Sequence, residues 1–316
     1  MSETKVALAE CADYAPAKVD GAVKKIFGHF GGAGKFAATG DRVLLKPNLL
    51  IAAAPESGIC THPEVVRSVA ELVRDCGATP MIGDSPSFGS LRGVAHRAGY
   101  GEIIKRYNVK LLPFKTPVVP KSIPDFGPEF TIAKEALDAD KIINLPKLKT
   151  HQQVVLTLAV KNMFGAVVGK RKPVWHVAAS SERKFTRLLL AIYCSARPAF
   201  NLLDGVVGME GKGPRKGPLR RFNLVAGAVD GVAMDAVVSA LLGFSAREIP
   251  ILKTAREVGE GETDLGKISI VGDPAEKFKI TDFKRPEIGR IGFPVPQVVA
   301  SYVKNLLILS REKKEG

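Results

Sequence analysis

The amino-acid sequence predicts an α/β fold: a mostly parallel sheet with helices on both faces. Short β-branched and aliphatic runs alternate with longer amphipathic stretches, the pattern of strand–helix–strand units. Several runs stop at polar, proline-containing turns such as Lys46-Pro47-Asn48 and Gly83-Asp84-Ser85-Pro86. The chain has 316 residues and 46% hydrophobic content, enough to bury one large core or two modest ones.

Taken in order, residues 42–45 read as a strand, 63–76 as a helix and 79–82 as the next strand, together one β-loop-α-β unit. Residues 109–113 read as a further strand, 136–140 as the end of a short helix, and 141–144 as a strand that stops before Pro146. A helical stretch is expected over 154–164, a Gly/Lys loop over 165–173 and a long helix over 182–196. A strand over 200–204 then leads into a glycine-rich loop over 208–217. Residues 221–228 predict a strand, 231–242 and 245–258 helical units, and 267–271 the last strand. Residues 1–276 thus form a single α/β domain, with a subdivision near 113–130 where prolines concentrate. Residues 277–316 make a basic tail whose apolar stretch, 298–309, predicts a helix docked on the body in preference to one lying on a membrane.

The formal net charge of +14 favours acidic partners without choosing among metabolites, nucleic acid and anionic membranes. An aromatic content of 7%, with no aromatics interleaved among the basic runs, disfavours nucleic acid. Cys11, Cys60, Cys76 and Cys194 are scattered and form no C-x-x-C pair, so no iron–sulfur cluster is expected from this chain alone. The first residues lack a signal-peptide pattern and no apolar run is long enough to span a bilayer; the expected location is the cytoplasm.

Ligands of parallel sheets gather where strands end, so residues just past predicted strands carry most weight. Lys46 and Asn48 follow one strand, as an anion-binding cation and amide or as an ordinary exit with a solvated lysine. Asp84 and Ser85 follow another; the carboxylate suits acid–base or metal chemistry, and an Asx-turn explains it equally well. In Leu145-Pro146-Lys147-Leu148-Lys149-Thr150-His151, extended backbone would point Lys147, Lys149 and His151 the same way, a geometry suited to an anion. Lys161 and Asn162 come one helix later, whereas Lys170-Arg171-Lys172 reads as a solvated charge run.

Gly211, Lys212 and Gly213 lie in the glycine-rich loop, which could wrap a ligand and present backbone N–H groups to it. That loop has neither P-loop nor G-x-G-x-x-G spacing. Asp230 reads as a helix cap, and Asp235, inside an apolar helix, needs a partner if buried. His62, Asp204 and Asp235 are the candidate ligands for a divalent metal, with His151, His176 and Asp84 as further donors, although no H-x-x-x-H or H-x-H spacing groups them. His96, between arginines on a helix, reads as a surface residue.

The ordered series Lys46-Pro47-Asn48, Thr61-His62-Pro63, Gly83-Asp84-Ser85, the 145–151 segment, Lys161-Asn162-Met163-Phe164-Gly165, Asp204-Gly205, Gly211-Lys212-Gly213-Pro214 and Met234-Asp235-Ala236 resembles domain of unknown function family 362. The resemblance covers roughly Lys5 to Asp273 and implies that these motif positions converge. Some members of that family resemble iron–sulfur proteins through an attached ferredoxin-like module, which this chain lacks. The leading functional expectation is an enzyme for a small carboxylated or phosphorylated substrate. Lys46, Lys147, Lys149 and Lys161 would hold the anion, with Asp84, Lys149 and His151 in catalytic roles and a metal optional. The alternatives are a non-catalytic partner or maturation protein for an iron–sulfur or redox system, and a nucleic-acid binder.

Overall fold

A computed structural model describes residues 3–169, 181–289 and 295–315 of the chain. Lys170-Arg171-Lys172 and His176 lie outside the described residues.

The elements in chain order are β1 (Thr4–Glu10), α1 (Pro16–Gly28), β2 (Arg42–Pro47), α2 (Pro63–Asp75), β3 (Thr79–Ile82), α3 (Leu91–Arg97), α4 (Gly101–Arg106) and β4 (Lys110–Leu111). Next come β5 (Pro117–Val118), β6 (Ile132–Ala133), α5 (Lys134–Leu137), β7 (Lys141–Leu145), β8 (Lys147–His151), β9 (Val155–Thr157) and α6 (Ala159–Asn162). The remainder is α7 (Glu182–Ala196), β10 (Phe200–Met209), β11 (Leu219–Ala228), α8 (Gly231–Leu241), α9 (Pro250–Val258), β12 (Ile268–Gly272) and α10 (Val295–Glu315).

The main sheet runs β12-β1-β11-β10-β7-β2-β3-β4, and β11 is antiparallel to both of its neighbours. The other pairings along this path are parallel. The chain is therefore an α/β protein with a mostly parallel sheet. Val43 and Leu45 of β2 pack with Val19, Val23, Val66 and Val69 of α1 and α2 on one face. Leu44 packs on the other with Leu189, Val237 and Leu252 of α7, α8 and α9. Period-2 alternation on a sheet covered twice explains why its central strands are nearly all apolar.

Four local expectations need correction. The stretch 154–164 is not one helix: β9 pairs back on β8 as a hairpin, with Val155 at φ +67°, before the short α6 begins. The strand expected over 200–204 continues to Met209, because Gly205, Val207, Gly208 and Met209 pair with β11 and Met209 also with β8. Helix α9 starts at Pro250, well inside the 245–258 unit, since proline is tolerated at a first turn and not deeper. Elements β1 and α1 were not anticipated; β1 is nonetheless an interior strand, hydrogen-bonded to β11 and β12.

Helix α10 touches the body at the start of α3. Asn305 Oδ1 accepts from Gly89 N at 2.8 Å and Glu312 Oε2 from Ser90 N at 3.0 Å. No helix among the described residues is long and apolar enough to cross a membrane.

Candidate functional site

Strands β2, β3, β7 and β10 are parallel neighbours, so their carboxyl ends share one edge of the sheet. Lys46, at the end of β2, is wholly buried and pairs with Asp84, just past β3: Nζ lies 3.1 Å from Oδ1. It also donates to Pro47 O at 2.8 Å. The Asp84 carboxylate accepts from Leu49 N and Ser85 N, both at 2.7 Å. Gly165 lies directly over this pair, and a Cβ there would overlap both Asp84 Oδ1 and Lys46 Nζ. The approach of backbone to an ion pair is what demands glycine.

Beyond Pro146 the chain passes into β8, whose Lys147 is buried and donates to Asp204 Oδ2 at 2.8 Å and to Tyr14 Oη at 2.7 Å. Tyr14 in turn donates to Asp204 Oδ1 at 2.8 Å, and His62 N to Asp204 Oδ2 at 2.8 Å. The rings of Tyr14 and His62 stack with centroids 3.5 Å apart. His62 also caps α2, its Nδ1 accepting from Glu64 N at 3.2 Å. Burial pushes the imidazole down to about 4, against the pull of Asp204, so the ring stays neutral and able to accept that bond.

Lys149 is different. Its Nζ is buried and donates to Asn48 Oδ1 at 2.7 Å and Ile59 O at 2.5 Å, both neutral oxygens. Burial pushes it down to about 8; Lys147 and Lys46 add to the shift, while Cys60 and Asp84 oppose it. Burial also lowers Lys46 and Lys147, against the pull of Asp84 and Asp204. The cluster thus holds three buried lysines, of which two have carboxylate partners.

Asn48 continues the network. Its Nδ2 donates to Asn162 Oδ1 at 2.8 Å, Asn162 Nδ2 to Asn144 Oδ1 at 2.8 Å, and Asn144 Nδ2 to Asn201 Oδ1 at 2.9 Å. Asn201 Nδ2 ends the series on Tyr193 Oη at 3.1 Å. Asn162 is held in place by Asp235, whose carboxyl group accepts from Ala159 N at 2.8 Å and Val160 N at 3.1 Å at the start of α6.

The remaining candidates are dispersed. Half-buried Lys161 places Nζ 4.8 Å from the Phe164 ring centroid. His151, at the end of β8, accepts from Gln153 N at Nδ1, 3.1 Å away. Ser85 is buried beside Asp84 and donates its N–H to Gly165 O at 3.1 Å. Gly211 and Gly213 do not join the lysines: Gly211 N bonds Lys284 O at 2.7 Å, and Gly213 N bonds Thr150 Oγ1 at 3.1 Å. Thr150 alternates with Lys149 on β8 and faces the opposite way, which carries this loop off the cluster. The Lys212 side chain is exposed, 3.8 Å from Glu287.

The set His62, Asp204 and Asp235 is also corrected. The first two adjoin, but Asp235 is spent on the backbone of α6. Among the described residues no group of three His, Cys, Asp or Glu side chains is placed to hold a metal ion. His96 is exposed, and Asp230 caps α8 through Val232 N and Ala233 N.

Sequence reasoning missed Tyr14, Asn144, Asn201 and Tyr193. The asparagines carried a usable signal, since each is flanked on both sides by apolar residues inside a strand and so needs a buried partner. Tyr14 sits in a loop with no such pattern.

Fold and site together define a layered α/β protein with a buried lysine cluster at the carboxyl ends of parallel strands. Residues 43–240 match the family described as domain of unknown function (DUF362), and the chain belongs to that family. It is 35% identical over 305 residues to the thylakoid-associated protein sll1697 of Synechocystis sp. (strain ATCC 27184 / PCC 6803 / Kazusa), across 96% of this chain and 94% of that protein. Among solved structures, the lactate racemase apoprotein from Thermoanaerobacterium thermosaccharolyticum is similar with a TM-score of 0.46 at 11% identity, over 73% of this chain and 55% of that one. A protein from Thermotoga maritima gives a TM-score of 0.38 at 10% identity, over 71% and 57%. The chain thus spans little more than half the length of these two structures.

Proposed function

We propose that the chain is an enzyme acting on a small anionic compound, a carboxylate or a phosphoryl ester, taken up at Lys149. The observation that carries this reading is that Lys149 has no carboxylate partner among the described residues: it is buried against neutral oxygens, whereas Lys46 and Lys147 each have a carboxylate. A buried charge without a counter-ion is costly, and an incoming anion removes that cost. Half-buried Asn48, which accepts from Lys149, is the polar surface through which it would be received. In its neutral form Lys149 can serve as a base or nucleophile, because burial brings its titration close to neutrality.

Calorimetric titration with inorganic phosphate and with pyruvate tests the reading. Binding of one of them should be lost in Lys149→Met and kept in Lys212→Met. Equal affinity in wild type and Lys149→Met would remove the proposal.

A second reading has its own observation. On α10, Val303, Leu306 and Leu307 are 51%, 46% and 59% exposed, beside exposed Lys304 and Arg311, on a chain of net charge +14. Apolar side chains flanked by cations suit the surface of an anionic bilayer, and the relative named as thylakoid-associated supports such a peripheral contact. Cys11, Cys60, Cys76 and Cys194 are all free thiols, which supports a reducing, cytoplasmic setting. Co-sedimentation with phosphatidylglycerol vesicles, absent with phosphatidylcholine and lost in Leu306→Glu/Leu307→Glu, is the expected result; indifference to lipid charge would dismiss it.

A further inference from the structure

A cavity of about 930 Å³ opens between α7, the start of α8, the end of α9 and the 122–126 segment, away from the lysines. Ser195 Oγ ties that segment to α7 by donating to Ser122 O at 2.9 Å. Tyr193 lines the cavity and is only 9% exposed. Its oxygen accepts from Asn201 Nδ2 at 3.1 Å and from Gly231 N at 2.8 Å. With two donors aimed at that oxygen, the phenol has its own proton left to give, and no acceptor for it exists among the described residues. A Cβ at position 231 would collide with the hydroxyl, so the glycine keeps this arrangement open.

The charge of the lining points the other way from the rest of the molecule. Asp125, Asp230 and Glu260 contribute three carboxylates against the single guanidinium of Arg197, on a chain whose net charge is +14. Asp230 is occupied by Val232 N, Ala233 N and Glu262 N, whereas among the described residues the Glu260 carboxylate meets only the Cys194 thiol, at 3.7 Å. Phe126 and Val258 supply apolar wall between them.

We infer that this cavity is a second ligand site, for a small primary amine that also carries an oxygen acceptor, such as an amino alcohol. The ammonium group pairs with Glu260 and the oxygen accepts the Tyr193 proton, while the carbon frame lies along the apolar wall. The inference goes beyond the anion site, which lies at the other end of the asparagine series and takes ligands of opposite charge.

Ethanolamine serves as the probe and propionate as its charge-reversed counterpart, both read by ligand-observed NMR on the full chain. Ethanolamine should bind and propionate should not. Glu260→Gln should weaken ethanolamine about tenfold, the loss of one charge-assisted contact. Tyr193→Phe should also weaken it, and Cys194→Trp, which fills the cavity, should abolish it. Should Cys194→Trp fail to fold, Glu260→Gln alone decides, because its side chain is half-exposed and isosteric. Saturating inorganic phosphate should leave ethanolamine bound, which separates this site from the anion site. Absent ethanolamine binding, binding unchanged in Glu260→Gln, or propionate binding as well as ethanolamine would each overturn the inference.

Discussion

Lys149 and Tyr193 stand at the two ends of a single hydrogen-bond chain in which every donor points from the lysine toward the tyrosine. The direction follows from chemistry. An ammonium can only donate, so Asn48 must turn its oxygen to Lys149 and its amino group to the next residue. The same constraint then orients Asn162, Asn144 and Asn201 in turn. Interior polar chains of this kind polarise each bond along them, and leaving a member out strands its neighbours.

Asn144 is the middle of that chain and also donates to Ala159 O at 3.0 Å. Asn144→Leu removes the acceptor of Asn162 and the donors to Asn201 and Ala159. The variant should lose at least about 2 kcal/mol in denaturant unfolding, the cost of orphaned buried groups. Since Asn162 also anchors Asn48, the variant should weaken anion binding at Lys149 without touching that residue. A stability within experimental error of wild type would show that the amides do not act as a series.

Anion affinity should depend on pH through Lys149, which titrates near pH 8. Below that value the ammonium is present and attracts the ligand; above it the charge goes. Affinity for phosphate or pyruvate should therefore fall as pH rises from about 7 to 9, after allowance for the ligand's own titration. The sign for stability is the reverse. The folded state releases the proton earlier than the unfolded chain, so this lysine disfavours folding at pH 7 and the penalty is relieved as pH rises from about 8 toward 10.5. Affinity that is flat across this range would show that some other group holds the anion.

Much of this was legible in the sequence. Lys46 and Asp84 meet because parallel β2 and β3 bring their carboxyl ends together, whereas Asp204 lies inside β10 and meets Lys147 at the start of β8. Period-2 spacing put Lys147 and Lys149 on one side of β8, where the charge of Lys147 adds to the lowering of Lys149. What could not be read is pairing over long sequence distances. Tyr14 reaches Asp204 from 190 residues away, and nothing in its local sequence reveals that. The glycine loop misled because glycine signals backbone freedom without naming what the backbone approaches: Gly213 serves Thr150, while Gly165 serves the Lys46–Asp84 pair.

Asp204 accepts from Lys147, Tyr14 and His62 N while completely buried. Replacing it with alanine leaves the Lys147 ammonium without a carboxylate in the interior, a change that costs about 3–5 kcal/mol. Adding Lys147→Met to Asp204→Ala removes the stranded charge and should restore part of the loss. A double variant less stable than Asp204→Ala would mean that Lys147 contributes chiefly through Tyr14, and thermal and denaturant unfolding of the single and double variants distinguish the two.

Asp235 gives the last expectation, and its sign runs opposite to that of His62. Burial raises its carboxyl to about 8, although the backbone donors Ala159 N and Val160 N pull it down. The folded state therefore keeps a proton that the unfolded chain has released, so this group's contribution is complete below about pH 3.8 and is lost as pH rises through about 8. His62, lowered from 6.5 to about 4, contributes above pH 6.5 and loses that contribution as pH falls through about 4. Asp235→Asn imitates the protonated acid, with one oxygen still able to accept at α6 and no proton to lose. Its unfolding free energy should fall less steeply between pH 5 and 8 than that of wild type, with the His62 limb below pH 6.5 unchanged. Parallel pH profiles for the two proteins would mean that Asp235 is ionised in the folded state and caps α6 as a carboxylate.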